Sequence, residues 1–176
     1  ILMFFAAAII GWCWEVFYHM FRFGNFVNRG VLQGPWLPIY GWGLVLLLIL
    51  LKRYRKDPIK TFILAIVVCG IVEYATGWYL ETFHNARWWN YDGYFLNIQG
   101  RICLENLLAF GIGGCLFIYF LAPFLDSIFI KIKKPIKIIL CIILLLIYLI
   151  DSYYSGKHPN MGKGISRDLP ITKITK

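Results

Sequence analysis

Ionisable residues stand at helical spacing inside runs that are otherwise apolar. Glu15 precedes His19 by one turn, Glu73, Gly77 and Glu81 recur every four residues, and Arg101 precedes Glu105 by four. At 3.6 residues per turn each set falls on one helix face. Such groups can hold a small charged solute or do acid–base work on one. Arginines grip a phosphate or carboxylate bidentately. A carboxyl whose pKa burial has raised serves as general base, a task open here to Glu73 or Glu105, with His19 or His84 as substitutes. Ionisable groups in apolar helices are expensive, so they face the bundle interior, pair with one another and mark functional pathways. The plainer account is that Glu–Arg pairs only pin helix ends together. The count favours a site: five of nine acids (Glu15, Glu73, Glu81, Asp92, Glu105) and four arginines (Arg22, Arg29, Arg87, Arg101) gather on one side.

These groups do not spell out a metal site. Glu15, His19, Glu73, Glu81 and His84 come from separate segments without diagnostic spacing, so neither metal nor cofactor is expected. A lone histidine among aromatics is more often a hydrogen-bonded packing residue. The five cysteines (Cys13, Cys69, Cys103, Cys115, Cys141) lie in apolar runs without C-x-x-C spacing and read as reduced, small hydrophobes.

The positioning elements must be membrane helices. Sixty per cent of the 176 residues are hydrophobic, 15% are charged and mean hydropathy is +0.67, beyond what a soluble domain of this size can bury. The pattern predicts an all-α, polytopic bundle of about five transmembrane helices at 1–21, 37–51, 59–80, 102–125 and 136–154. The opening run lacks an A-x-A-like cleavage site and ends in charged residues, so it reads as a span. The transmembrane domain is 1–154, and 155–176 reads as a flexible polar tail. "KRYRKDPIK" and "KIKKPIK" carry five and four basic residues and belong in the cytoplasm. Loops 22–36 and 82–101 then face outward. An odd number of spans also puts the basic tail outside, which weakens the fifth span or hints at a sixth. The +9 charge is explained by topology and anionic lipid, so no nucleic-acid partner is expected.

The stretch "RFGNFVNRGVLQGPWLPIYG" (22–41) is too polar and irregular for a plain turn. The span after it is short, about 22 Å against about 30 Å of hydrocarbon. Bare backbone survives at membrane depth only inside protein or along a wet cavity. The segment near 28–40 is therefore expected to be re-entrant or broken, walling an outer cavity floored by Glu73 and Glu105.

Three blocks carry a resemblance. "VNRGVLQGPWLPIYGWG" (27–43), "EYATGWYLE" (73–81) and "NIQGRICLEN" (97–106) resemble, in order and spacing, the signature blocks of the CmpB-type ABC-transporter (type IV) permease family. The likeness covers about residues 8–125, whereas the chain beyond about 130 does not resemble the family blocks. Where the family often shows "WDY", this chain has "WNYDG" (89–93). The resemblance implies a bacterial cytoplasmic membrane location and a transport role. There is no G-x-x-x-x-G-K-[ST], so the chain hydrolyses no ATP by a P-loop and needs a separate ATPase. The short basic loops are a small coupling surface, which points to a second membrane subunit as well. Membrane lipids and a further copy of the chain complete the expected partners.

The expected binding residues are Glu15, Asn28, Arg29, Glu73, Glu81, Asn97, Arg101 and Glu105, around a small or anionic solute. The alternative is a membrane enzyme acting on a phospholipid head group at the outer leaflet, in which Arg29 and Arg101 hold the phosphate. "RFGNFVNRG" faintly resembles the "G-R-x-G-N-F-I-N" stretch of prolipoprotein diacylglyceryl transferases.

Overall fold

The computed structural model describes residues 1–160, and these are helical apart from their connections. Five helices follow one another: α1 (Leu2–Phe23), α2 (Pro38–Leu50), α3 (Pro58–His84), α4 (Leu104–Lys131) and α5 (Lys134–Lys157). All but α2 are long and apolar enough to cross a membrane. The chain is an all-α multi-span membrane protein. Its helices match the five expected spans, and the ends are set by local chemistry. Gly24 takes the left-handed conformation (φ 71°) that closes α1, its N–H bonded to the Met20 carbonyl. Pro38 and Pro58 open α2 and α3 at a first turn, where a missing N–H is harmless. Asp57 caps α3 by accepting from the Lys60 N–H, a bond that holds its carboxyl below the usual range. Inside α4 the helix widens into a π turn over Phe117–Leu121. Pro123 follows after Ala122; it offers no N–H to the preceding turn and its ring crowds the carbonyl four residues back, so a wider turn relieves it.

Helices α1 and α2 form one antiparallel hairpin, α3 and α4 a second. Both are packed through glycine, as in membrane bundles generally. A Cβ on Gly11 would run into the Tyr40 ring, and one on Gly111 would come 2.6 Å from Phe62. The hairpins meet in a core of Leu47, Leu51, Ala65 and Ile118. Tyr119 ties α4 to the basic turn by donating to the Arg55 carbonyl at 3.0 Å. We call the face carrying the basic turns 51–57 and 131–133 inner and the opposite face outer.

The segment between α1 and α2 leaves Gly24 and folds back down α1. Asn25 meets His19, Arg29 meets Glu15, Asn28 meets Trp12, and the Leu37 N–H bonds the Ala8 carbonyl at 3.0 Å. Fifteen helical residues separate Ala8 from Phe23, so the descent is about 22 Å. The re-entrant expectation holds, with a corrected range. The irregular chain ends at Leu37, and residues 38–40 are helical because Pro38 starts a helix instead of breaking one.

Helix α5 carries no buried residue in its best spanning window and attaches through its outer half. Leu144 and Tyr148 pack against the Phe5, Ala8 and Trp36 cluster. Past the helix, the Asn160 side chain donates to the Asn28 and Gly30 carbonyls. The outer end of α5 therefore lies beside the re-entrant segment, as five crossings require. The helix runs three residues past the expected boundary at 154, with Ser155 buried, and residues 161–176 of the expected tail lie outside those described.

Candidate functional site

The polar side chains of the outer half collect in three clusters. The outermost centres on Glu81, near the end of α3. Arg87 donates to its Oε1 at 2.7 and 3.0 Å, and Arg101 donates to its Oε2 at 2.8 and 3.0 Å. Arg87 also reaches Asp92 at 3.4 Å, while Arg101 bonds Gln99 and lies over the Tyr74 ring. Two guanidiniums and two carboxylates balance here, and they fold loop 85–103 onto α3.

The second cluster lies deeper. Glu15 accepts Arg29 Nε at 3.4 Å and the Tyr40 hydroxyl at 2.7 Å. The Arg29 side chain is 11% exposed, so the expected buried, paired arginine is present. Across the interface between hairpins, Glu73 is 3% exposed. Its Oε1 accepts Asn106 at 2.6 Å and Tyr91 at 3.1 Å. Its Oε2 is buried with no hydrogen-bond partner among the described residues. Glu15 and Glu73 are near enough to repel one another, and Tyr40 and Tyr91 sit within the same field. Burial first, then the charge of Glu73, pushes the Tyr91 phenol above its ordinary range and keeps it a donor. Nearby, burial pushes the Cys103 thiol up, away from thiolate chemistry.

The third cluster holds the re-entrant segment to α5. Asp151 accepts the backbone N–H groups of Gln33 and Gly34 at 3.1 and 3.0 Å and the Trp36 indole at 2.7 Å. Ser155, one turn on, donates to it at 3.0 Å. The carboxylate thus does for an irregular stretch of backbone what a helix or sheet would otherwise do.

The structure distributes the expected residues unevenly. Glu15, Arg29 and Glu73 share the second cluster, and Glu81 and Arg101 the first. Asn28 braces the re-entrant segment, accepting from Trp12 and donating to the Gln33 carbonyl. Asn97 caps a turn in loop 85–103, accepting the Gly100 N–H at 3.2 Å. Glu105 is exposed and does not join Glu73, which corrects the expected floor: the inward-facing position at the start of α4 is Asn106. His19 Nδ1 donates to the Asn25 carbonyl at 3.1 Å, a packing role. No group of three His, Cys, Asp or Glu is placed to hold a metal among the described residues. Sequence reasoning missed Tyr40, Tyr91, Asn106 and Asp151, and counted Arg87 among the outer arginines without placing it in the binding set. Asp151 alone left a clear trace, an acid in an apolar run with Ser155 one turn later.

No curated protein and no solved structure matches the chain. A family model, described as "Putative ABC-transporter type IV", matches residues 2–156. The match includes α5 with Asp151 and Ser155, beyond the blocks that carried the resemblance in the sequence. The chain belongs to this CmpB-type ABC-transporter family.

Proposed function

We propose that this protein is a membrane component of an ABC-type transporter in a bacterial cytoplasmic membrane, and that its outer polar layer binds a small solute. The observation that supports this most is the placement of Glu73. A buried carboxylate with one oxygen unpartnered is too costly to keep merely for stability, since salt bridges or apolar packing serve that end better. Around it stand Glu15, Arg29, Tyr40, Tyr91 and Asn106 from five different segments. The outer cluster of Glu81, Arg87 and Arg101, with Asn97 in its loop, forms the cover, and Asp151 with Asn28 fixes the re-entrant wall. Glu105, exposed beside Asn106 in the first turn of α4, lies outside this layer.

Arg29 and Arg101 both engage carboxylates, which makes the layer ill suited to an anionic solute or a lipid phosphate. The head-group enzyme reading loses its main support by the same geometry. ATP hydrolysis then comes from a separate subunit docking at turns 51–57 and 131–133, alongside a second membrane subunit or a further copy of this chain, with anionic lipid at the basic turns. Affinity purification from the native membrane tests this. An ATP-hydrolysing subunit should copurify and cross-link to Lys56 or Lys133. Preparations free of any ATPase, across mild detergents, contradict it.

A further inference from the structure

The two hairpins are built alike. In the first, the third residue of α2, Tyr40, donates to Oε1 of Glu15 on α1 at 2.7 Å. In the second, the third residue of α4, Asn106, donates to Oε1 of Glu73 on α3 at 2.6 Å. One turn inward of each glutamate is a glycine against which the partner helix packs: Gly11 meets Tyr40, and Gly70 meets Leu107. In both hairpins a long polar loop runs back along the first helix, so the second begins well below the outer face. Both hairpins point the same way. The two hairpins thus share one local plan, and solute sites in membrane bundles form where such like halves meet.

The hairpins differ at one place. In the first, Oε2 of Glu15 receives the Arg29 guanidinium. In the second, Oε2 of Glu73 receives no side chain or backbone group among the described residues, although it is buried. The arginines of loop 85–103 do not supply one, since Arg87 and Arg101 both engage Glu81, two turns outward. Glu15 across the interface adds negative field without a hydrogen bond.

We propose that the layer takes a cationic group, an ammonium or guanidinium, at Oε2 of Glu73, in the place that Arg29 fills toward Glu15. Such a group brings several N–H donors, and the Tyr91 and Tyr40 oxygens keep lone pairs to receive them. Tyr40, Tyr91 and Phe110 supply aromatic rings near a positive charge. A divalent metal fits worse, because among the described residues no third acidic, histidine or cysteine ligand stands with Glu15 and Glu73. Glu73 is 3% exposed, so access requires loop 85–103, which carries Tyr91, to move aside. The inference rests on the reading of this layer as a solute site.

The test uses the full chain in phosphatidylcholine nanodiscs, treated with a hydrophobic carbodiimide, with modification of Glu73 read by peptide mass spectrometry. Methylguanidinium or ethylammonium chloride should cut labelling of Glu73 about tenfold at ten times Kd, while sodium chloride at equal ionic strength does not. The same cations should raise Tm by about 3–6 °C. Glu73→Gln should abolish that rise and Glu105→Gln should keep it. If Glu73→Gln fails to fold, protection in the wild-type chain decides. Equal effects of sodium and the organic cations, or labelling that no cation alters, overturn the proposal; the latter leaves Glu73 as a carboxyl that simply holds a proton. Protection in discs containing phosphatidylethanolamine, without added solute, supports the site and assigns its occupant to a lipid head group. Protection without a copurifying ATPase would retire the transport reading alone, and an ATPase partner without protection would retire the cation site alone.

Discussion

Glu15 and Glu73 share a polar layer, yet only Glu15 has a guanidinium against its second oxygen. Removing Arg29 should make the pair alike. Arg29→Ala leaves a half-buried carboxylate to the Tyr40 hydroxyl, with an expected loss of about 1–3 kcal/mol, above the ~0–1 kcal/mol of an exposed pair. Thermal unfolding in detergent measures it; a neutral, functionally silent Arg29→Ala would reduce the segment to a loop. Asp151 makes a different demand, because two of its partners, the Gly34 N–H and the Trp36 indole, have no other acceptor among the described residues, and the Gln33 N–H has only Ser155 Oγ at 3.3 Å. Asp151→Ala strands Gly34 N–H and the Trp36 indole and leaves Gln33 N–H only Ser155 Oγ, for about 2–4 kcal/mol, and Asp151→Asn, which keeps one acceptor, should lose less. Equal unfolding of all three proteins would refute the latch. Arg29 and Glu81 could be foreseen because a charge in an apolar context must find an opposite one. The acid Asp151 left a trace in its apolar run, but its partners could not be foreseen, since they are two backbone N–H groups and an indole 115 or more residues away in the chain.

Among the helices, hydropathy and proline placement carried nearly all the information. Runs of apolar residues bounded by Pro38, Pro58, Lys131 and Lys134 can become little else in a membrane. What the pattern misread was the role of Pro38, a helix start taken for part of a break, and the facing of α4. Arg101 and Glu105 share a face only if both are helical, and Arg101 precedes the first turn of α4. The orientation of that helix is set by Gly111 against Phe62, a contact that spacing within one segment cannot reveal. Close approach also yields a test. A Cβ at Gly11 would meet the base of the Tyr40 side chain, so Gly11→Ala must push α2 off α1 and away from Glu15. A Tm loss equivalent to about 1–3 kcal/mol is expected. Gly113→Ala, where a Cβ meets nothing within 4 Å, should be neutral or slightly stabilising. Similar behaviour of the two would argue against glycine-mediated packing.

For the whole molecule, the fifth expected span is present as α5, and its outer end is tied to the re-entrant segment where Asn160 donates to the Asn28 and Gly30 carbonyls. Cysteines placed at Asp92 and His158 should react with an impermeant thiol reagent in intact cells, and those at Lys56 and Lys133 should not. Labelling at all four positions would overturn the orientation. Two hairpins and a peripheral helix thus hold their ionisable groups in the outer half, with basic turns and apolar core below. That layer's work as a solute site is tested most directly in right-side-out vesicles loaded with ATP and the copurifying ATPase. They are incubated with a mixed small-molecule pool, and their contents are read by mass spectrometry. Wild-type and Glu105→Gln vesicles should accumulate at least one solute that Glu73→Gln vesicles, holding equal protein, do not. Indistinguishable contents in all three would contradict the account.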